Sequence, residues 1–172
     1  MNLIIKKACT QDLDSVAALY AAVCAYLADK PFNPGWRQNI FPAREDAEQY
    51  LAAGGLYIAR SGKETVGTIA LTPEANGTLC IHEVAVRPDH QRQGISAALL
   101  DFTAKEAAQQ GVKSLRLHVW EGNTPAIRTY EKNGFVRMGK EDIGLGEFGL
   151  DWFYLYEKRL EGVIPAQRQS NF

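Results

Sequence analysis

Apolar residues in this chain follow two rhythms, and the switches between them outline its elements. Leu3 to Lys7 is a short, mostly apolar run that predicts a first strand. Leu13, Val16, Ala17, Tyr20, Val23, Cys24 and Leu27 then recur at helical spacing, with Thr10 as the expected cap and Asp12 and Asp14 in the first turn. The stretch Lys30 to Pro42 interleaves Pro31, Pro34, Gly35 and Pro42 with Phe32, Trp36 and Phe41, which predicts an irregular loop carrying large apolar rings. Arg44 to Ala53 reads as a second helix closed by Gly54 and Gly55. Leu56 to Arg60 and Thr65 to Thr72 read as strands joined by the turn Ser61-Gly62-Lys63-Glu64.

Asn76-Gly77 is a tight-turn signal leading into Thr78 to Arg87, a strand in which Leu79, Ile81, Val84 and Val86 are apolar. Strict alternation would make position 83 apolar and position 84 polar, but Glu83 precedes Val84, so the phase slips near His82 and a bulge is predicted there. Gly94 to Gln110 reads as a helix with Ile95, Ala98, Leu99 and Phe102 inward and Gly111 closing it. Ser114 to Trp120 is the next strand and Pro125 to Lys132 the next helix. Phe135 to Lys140 and Trp152 to Lys158 form a closing pair of strands. The pattern implies one domain over residues 1–162 and a polar tail over 163–172.

A length of 172 residues, 46% hydrophobic and 23% charged, suits a single globular domain. A formal charge of -1 supplies no electrostatic drive toward nucleic acid or anionic lipid, which favours small molecules or single peptides as partners. The longest apolar run, Val16 to Ala28, is too short to cross a bilayer, so no membrane anchor is expected. Cys9, Cys24 and Cys80 are widely spaced without a Cys-x-x-Cys pair. They indicate neither a disulfide framework nor a zinc site and fit a reducing cytoplasm.

The chemistry concentrates between Val84 and Phe135. Gln91 to Ser96 places successive backbone N–H groups at a helix N-terminus, where unpaired donors and the helix dipole favour an anion such as a pyrophosphate. Gly94 permits a conformation that a Cβ would oppose, and Arg92 adds positive charge. On residue types alone an ordinary strand-to-helix turn is the favoured reading, since glycine turns at helix starts are common. No Gly-x-Gly-x-x-Gly or Gly-Lys-Ser/Thr loop points to a dinucleotide enzyme or an NTPase.

Gln91-Arg92-Gln93-Gly94-Ile95-Ser96 resembles the acyl-CoA motif of the GCN5-related N-acetyltransferases, Gln/Arg-x-x-Gly-x-Gly/Ala, with Ser96 departing from the usual small apolar residue. A second segment, from Asn123 through Ala126, Tyr130 and Glu131 to Gly134-Phe135, resembles that family's Asn-x-x-Ala-x-x-x-Tyr-Glu-x-x-Gly-Phe. The resemblance implies an α/β fold: a mixed, mostly antiparallel seven-stranded sheet flanked by about four helices, with a splay between two central strands. It also implies acetyl-CoA as co-substrate, no metal, and transfer of acetyl to a primary amine.

By the same resemblance, the free backbone of Val84, Ala85 and Val86 would take the pantetheine arm, Gln91 to Ala97 the pyrophosphate, and Asn123 and Ala126 further parts of the cofactor. Tyr130 would protonate the departing thiolate, although it could also simply pack under Phe135. An amine acceptor with a reference pKa near 10.4 needs a base. Glu83 is the leading candidate, since burial would raise its pKa, and its alternative is a structural ion pair. His118, expected to be partly buried, is the second candidate; His82 is expected on the face opposite Glu83. No thiol has a basic neighbour to support an acyl-cysteine route.

Trp36, Phe41, Phe148 and Trp152 are expected to line an acceptor pocket suited to an aromatic or cation-bearing amine, or else to cover a core edge. A protein or peptide acceptor and a non-catalytic acyl-CoA-binding module remain the alternatives. Apolar surface on the last strand is a candidate for pairing two subunits.

Overall fold

The computed structural model describes residues 2–161; the tail 163–172 lies outside the described residues. Seven strands, β1 (Leu3–Lys7), β2 (Leu56–Ser61), β3 (Glu64–Glu74), β4 (Thr78–Val86), β5 (Ser114–Trp120), β6 (Val136–Glu141) and β7 (Phe153–Arg159), form one sheet. Four α-helices accompany them: α1 (Leu13–Leu27), α2 (Arg44–Ala52), α3 (Ile95–Gln109) and α4 (Thr124–Lys132). The strand order is β1-β2-β3-β4-β5-β7-β6. Every neighbouring pair is antiparallel except β4 with β5, which are parallel because α3 carries the chain back across the sheet.

Two cores sit on opposite faces of the sheet. One packs Ile95, Leu99 and Leu100 of α3 and Ile127 of α4 against Val66, Ile69, Leu115 and Leu117. The other packs Val16, Leu19, Tyr20 and Val23 of α1 and Ala47 of α2 against Leu56, Ile58, Ala70 and Ala85. Each fully buried Leu or Ile contributes about 1.5–3 kcal/mol of hydrophobic stabilisation, so the layers hold helices that have little intrinsic stability alone.

The chain enters α1 differently from the sequence expectation. Thr10 does not cap; it opens a short 3₁₀ turn over Thr10–Asp12, and the Cys9 backbone N–H donates to Asp12 Oδ2 at 2.8 Å. Asp12 supplies the acceptor that a Thr10 hydroxyl was expected to supply, one turn earlier. Gly94 caps α3 from outside the helix. The last strand, β7, lies between β5 and β6 with both edges paired, so it cannot join a second subunit through its backbone. Among the described residues, the outermost strands of the sheet are β1 and β6.

Two irregularities of β4 shape the centre of the sheet. Its register with β3 shifts between Thr68 and Ala70, where Glu83 takes φ 37°. This is the bulge that the slipped hydrophobic phase predicts. On its other edge, β4 pairs with β5 only at Thr78, Leu79 and Cys80, opposite Ser114, Leu115 and Arg116. Beyond Cys80 the two strands diverge.

Candidate active site

The divergence opens a cleft of about 1030 Å³ whose floor is Ile81 to Val86 on one side and His118 to Trp120 on the other. One end is backbone. Arg92 and Gly94 hold φ of 63° and 78°, and the left-handed Gly94 turns the chain into α3 with no side chain capping it. A Cβ at Gly94 would meet nothing within 4 Å, so its requirement is conformational, not steric. Gly94 O accepts from Ala98 N–H at 3.0 Å, leaving the first-turn donors around Ser96 and Ala97, which line the cleft. Arg92, Arg128 and Lys132 line it as well. An uncapped helix start with nearby cations matches a diphosphate, and the open β4 edge matches an extended amide-bearing arm. These residues fit coenzyme A.

Asn123 occupies the N-cap of α4, but only its backbone engages the helix, accepting from Ile127 N–H at 3.1 Å. Its side chain is not used as a cap, and it lines the cleft beside Ala126 and Tyr130. Tyr130 also packs edge-on against Phe135, ring centroids 5.8 Å apart at 64°. Burial, reinforced by the Glu83 charge, raises its pKa, so its hydroxyl is protonated near neutrality.

Glu83 faces the same space. Its Oε2 is buried without a hydrogen-bond partner. Burial raises its pKa to about 7, opposed by the nearby Tyr50 hydroxyl and assisted by the Asp46 charge. His82 is not remote from Glu83. Tyr50 of α2 stacks on the His82 ring, centroids 5.5 Å apart at 20°, and its hydroxyl reaches toward Glu83. The bulge breaks the alternation that would have put His82 and Glu83 on opposite faces. His82 is tied to Thr72 Oγ1 at 2.7 Å, and burial lowers its pKa.

His118 lines the cleft at the border of exposure, its side chain 33% exposed, and its Nε2 lies 3.0 Å from Glu141 Oε2. Leu117 and Val119 turn to the core while His118 turns away, as strand alternation demands. Gln93 is exposed and does not line the cleft. Burial, with Glu74 nearby, pushes the Cys80 thiol up to about 12, which keeps it protonated.

The acceptor wall needs a larger correction. Trp36 and Phe41 line the cleft, but Phe148 and Trp152 do not. Phe148 is 61% exposed, and Trp152 lies under Lys140 Nζ, 4.9 Å from the ring centroid. Ile143 and Leu145 represent the closing segment instead, and Val23, Tyr26 and Leu27 of α1 line the cleft as well. Gly144 and Gly149 hold φ of 85° and 77° in the segment that leaves the two aromatic residues exposed. Sequence reasoning passed over the α1 face and Tyr50 because helical periodicity marks both only as packing positions.

A family model for the acetyltransferase (GNAT) family matches residues 20–135. The chain belongs to the GNAT acetyltransferase family. Among curated relatives, it is 34% identical over 100 residues to the [ribosomal protein bS18]-alanine N-acetyltransferase of Escherichia coli (strain K12), covering 58% of this chain and 64% of the relative. It is 32% identical over 123 residues to the mycothiol acetyltransferase of Streptomyces scabiei, covering 70% of this chain but 39% of that enzyme. The chain thus matches less than two thirds of the length of either relative. Solved GNAT structures share the fold. The E. coli ribosomal-protein-S18-alanine N-acetyltransferase superposes with a TM-score of 0.73 at 18% identity, covering 96% of this chain and 98% of that one. The PaiA N-acetyltransferase from Thermoplasma acidophilum, solved in complex with coenzyme A, superposes with a TM-score of 0.73 at 20% identity, covering 92% and 99%.

Among the described residues, no cluster of His, Cys, Asp and Glu is disposed to hold a metal ion, and no helix is long and apolar enough to cross a membrane.

Proposed function

We propose that this protein transfers the acetyl group of acetyl-CoA to the primary amine of a small molecule, by direct attack in a ternary complex. The observation that carries the reading is the continuity of one cleft. The uncapped start of α3, the free edge of β4 and Glu83, whose Oε2 is buried without a hydrogen-bond partner among the described residues, all border it. Gln91 to Ala97 bind the diphosphate, with Gln93 contributing through its backbone in the turn. Val84 to Val86 take the pantetheine arm, and a β4 N–H polarises the thioester carbonyl. Asn123 and Ala126 border the arm.

The amine nitrogen attacks the carbonyl carbon and forms the C–N bond. The amine proton passes to Glu83, directly or through a water. The C–S bond then breaks, and its electron pair leaves on sulfur, which takes a proton from Tyr130. Glu83 is preferred to His118 because its desolvation brings its pKa near neutrality, where a base works best. The free thiols of Cys9, Cys24 and Cys80 are consistent with a cytoplasmic setting.

The test is release of coenzyme A thiol from acetyl-CoA across a panel of amines. A particular amine should stimulate release, and Tyr130→Phe should lower kcat by about tenfold, since a thiolate is a good leaving group. Binding of acetyl-CoA with no acceptor-dependent release would leave a binding module and sink the enzyme reading. A second reading, acetylation of a polypeptide N-terminal amine, is favoured by the E. coli relative's ribosomal substrate. It would appear as faster release with peptides than with any small amine.

A further inference from the structure

We infer that the preferred acceptor is a monoamine whose ammonium sits on an apolar or aromatic group, rather than a polyamine or a small polar amine; this rests on the acetyl-transfer reading above. Much of the cleft's lining is apolar. Val23, Tyr26 and Leu27 of α1 and Phe32, Trp36 and Phe41 of the following loop line it, as do Ile143 and Leu145 of the closing segment. Among the described residues lining the cleft, Glu83 is the sole carboxylate, against Arg92, Arg128 and Lys132. One buried acid matches one amine. A second or third ammonium on the acceptor would find no further carboxylate among the described lining residues to meet.

The rings themselves serve as apolar walls more readily than as a cation cage. Tyr26 already carries Lys30 Nζ, 5.0 Å from its ring centroid. The wall is also held in place before any ligand arrives. Asn33 Oδ1 accepts from Trp36 N–H at 2.9 Å, and Asn33 Nδ2 donates to Trp36 O at 3.2 Å. Arg37 and Phe41 exchange backbone bonds at 2.8 and 3.0 Å, closing the loop into a small bridge. At Gly35, φ 86°, a Cβ would stand 3.0 Å from Leu150 Cδ1, so the loop abuts the closing segment where only glycine fits. A preformed apolar wall rewards an apolar ligand without the entropic cost of ordering a loop.

The experiment measures acceptor-dependent thiol release by the full chain with 2-phenylethylamine, ethanolamine, spermidine and a short peptide beginning with phenylalanine. The expected kcat/KM for 2-phenylethylamine exceeds that for ethanolamine by roughly 10- to 100-fold, the worth of burying one aromatic ring. Phe32→Ala should reduce that advantage about tenfold through KM while leaving KM for acetyl-CoA unchanged. Trp36→Ala should act in the same direction.

Faster turnover of the peptide than of 2-phenylethylamine would support the apolar monoamine and move its source to a polypeptide. Spermidine or ethanolamine equalling 2-phenylethylamine would overturn the inference while leaving acetyl transfer intact. If no acceptor is turned over, tryptophan fluorescence with coenzyme A present decides. Saturable 2-phenylethylamine binding that Phe32→Ala weakens supports the site and sinks only the transfer reading. Absence of such binding overturns the inference.

Discussion

The two ends of the cleft are built by different means. The end that fits the diphosphate is contiguous chain: one strand, one turn and one helix start, in which backbone N–H groups do the recognition and Gly94 sets the path. The acceptor end is a convergence of side chains from α1, the loop before α2, the bulge in β4 and the segment before β7. Backbone recognition tolerates changes of side chain as long as the path is kept. Side-chain recognition depends on segments far apart in sequence holding a common geometry. The first kind of site suits a ligand common to a whole family; the second suits a ligand peculiar to one member.

Changes at the junction of the two ends should be the most damaging. Glu83→Gln keeps the shape of the bulge and removes the base, so kcat is expected to fall by about 10²–10³ with little change in KM for acetyl-CoA. In the wild type, log kcat/KM should fall more steeply with decreasing pH below about 7, where Glu83 takes a proton, than above it, where only the acceptor amine titrates. Loss of that limb in Glu83→Gln would assign it to this carboxyl, and its survival would direct attention to His118.

The same substitution should stabilise the fold, and the direction of the pKa shift gives the sign. Glu83 titrates near 7 in the folded chain against an ordinary 4.5. The folded state therefore holds its proton more tightly, and stability falls as pH rises through about 7. The glutamine variant escapes that loss, by at most about 3 kcal/mol above pH 8, measurable by denaturant titration at pH 5 and pH 8.5. Equal effects at both pH values would contradict the burial argument.

At the backbone end, Gly94→Val forces a β-branched residue into the left-handed region. Acetyl-CoA affinity should drop roughly 10- to 100-fold, a loss of about 1–3 kcal/mol, by calorimetry. Amine affinity in a CoA-independent assay should be untouched. At the side-chain end, Asn33→Ala removes both bonds that pin Trp36. The expected result is a rise in amine KM of a few fold, in line with about 1 kcal/mol, and no change in acetyl-CoA binding. A matching effect of Asn33→Ala on acetyl-CoA would show that the two ends are not independent.

That contrast also explains what could be read from the chain alone. The order of strands and helices was legible because each element carries its own period, and the bulge was legible because Glu83 interrupts one. The turn from Gln91 to Ser96 was legible because its geometry is local. Phe148 and Trp152 were misplaced because an aromatic residue in an irregular segment reads the same whether it lines a cleft or lies on the surface. Tyr50 and the α1 face were invisible as site residues for a related reason: a helix residue facing the core and one facing a cleft carry the same period. The Glu141 partner of His118 was not legible, because it comes from β6, a strand distant in sequence.

The short ladder between β4 and β5 has a mechanical meaning as well. Within the sheet, four strands lie to one side of it and three to the other, joined across a few residues from Thr78 to Cys80. The core under α3 joins both half-sheets, but along the seam few backbone bonds cross, so amides bordering the divergence are expected to exchange faster than those of the fully paired strands. A ligand chain laid along the open edge of β4 would span that seam. The ligand would then act as a structural member of the sheet, and loading should raise the stability of the fold it braces.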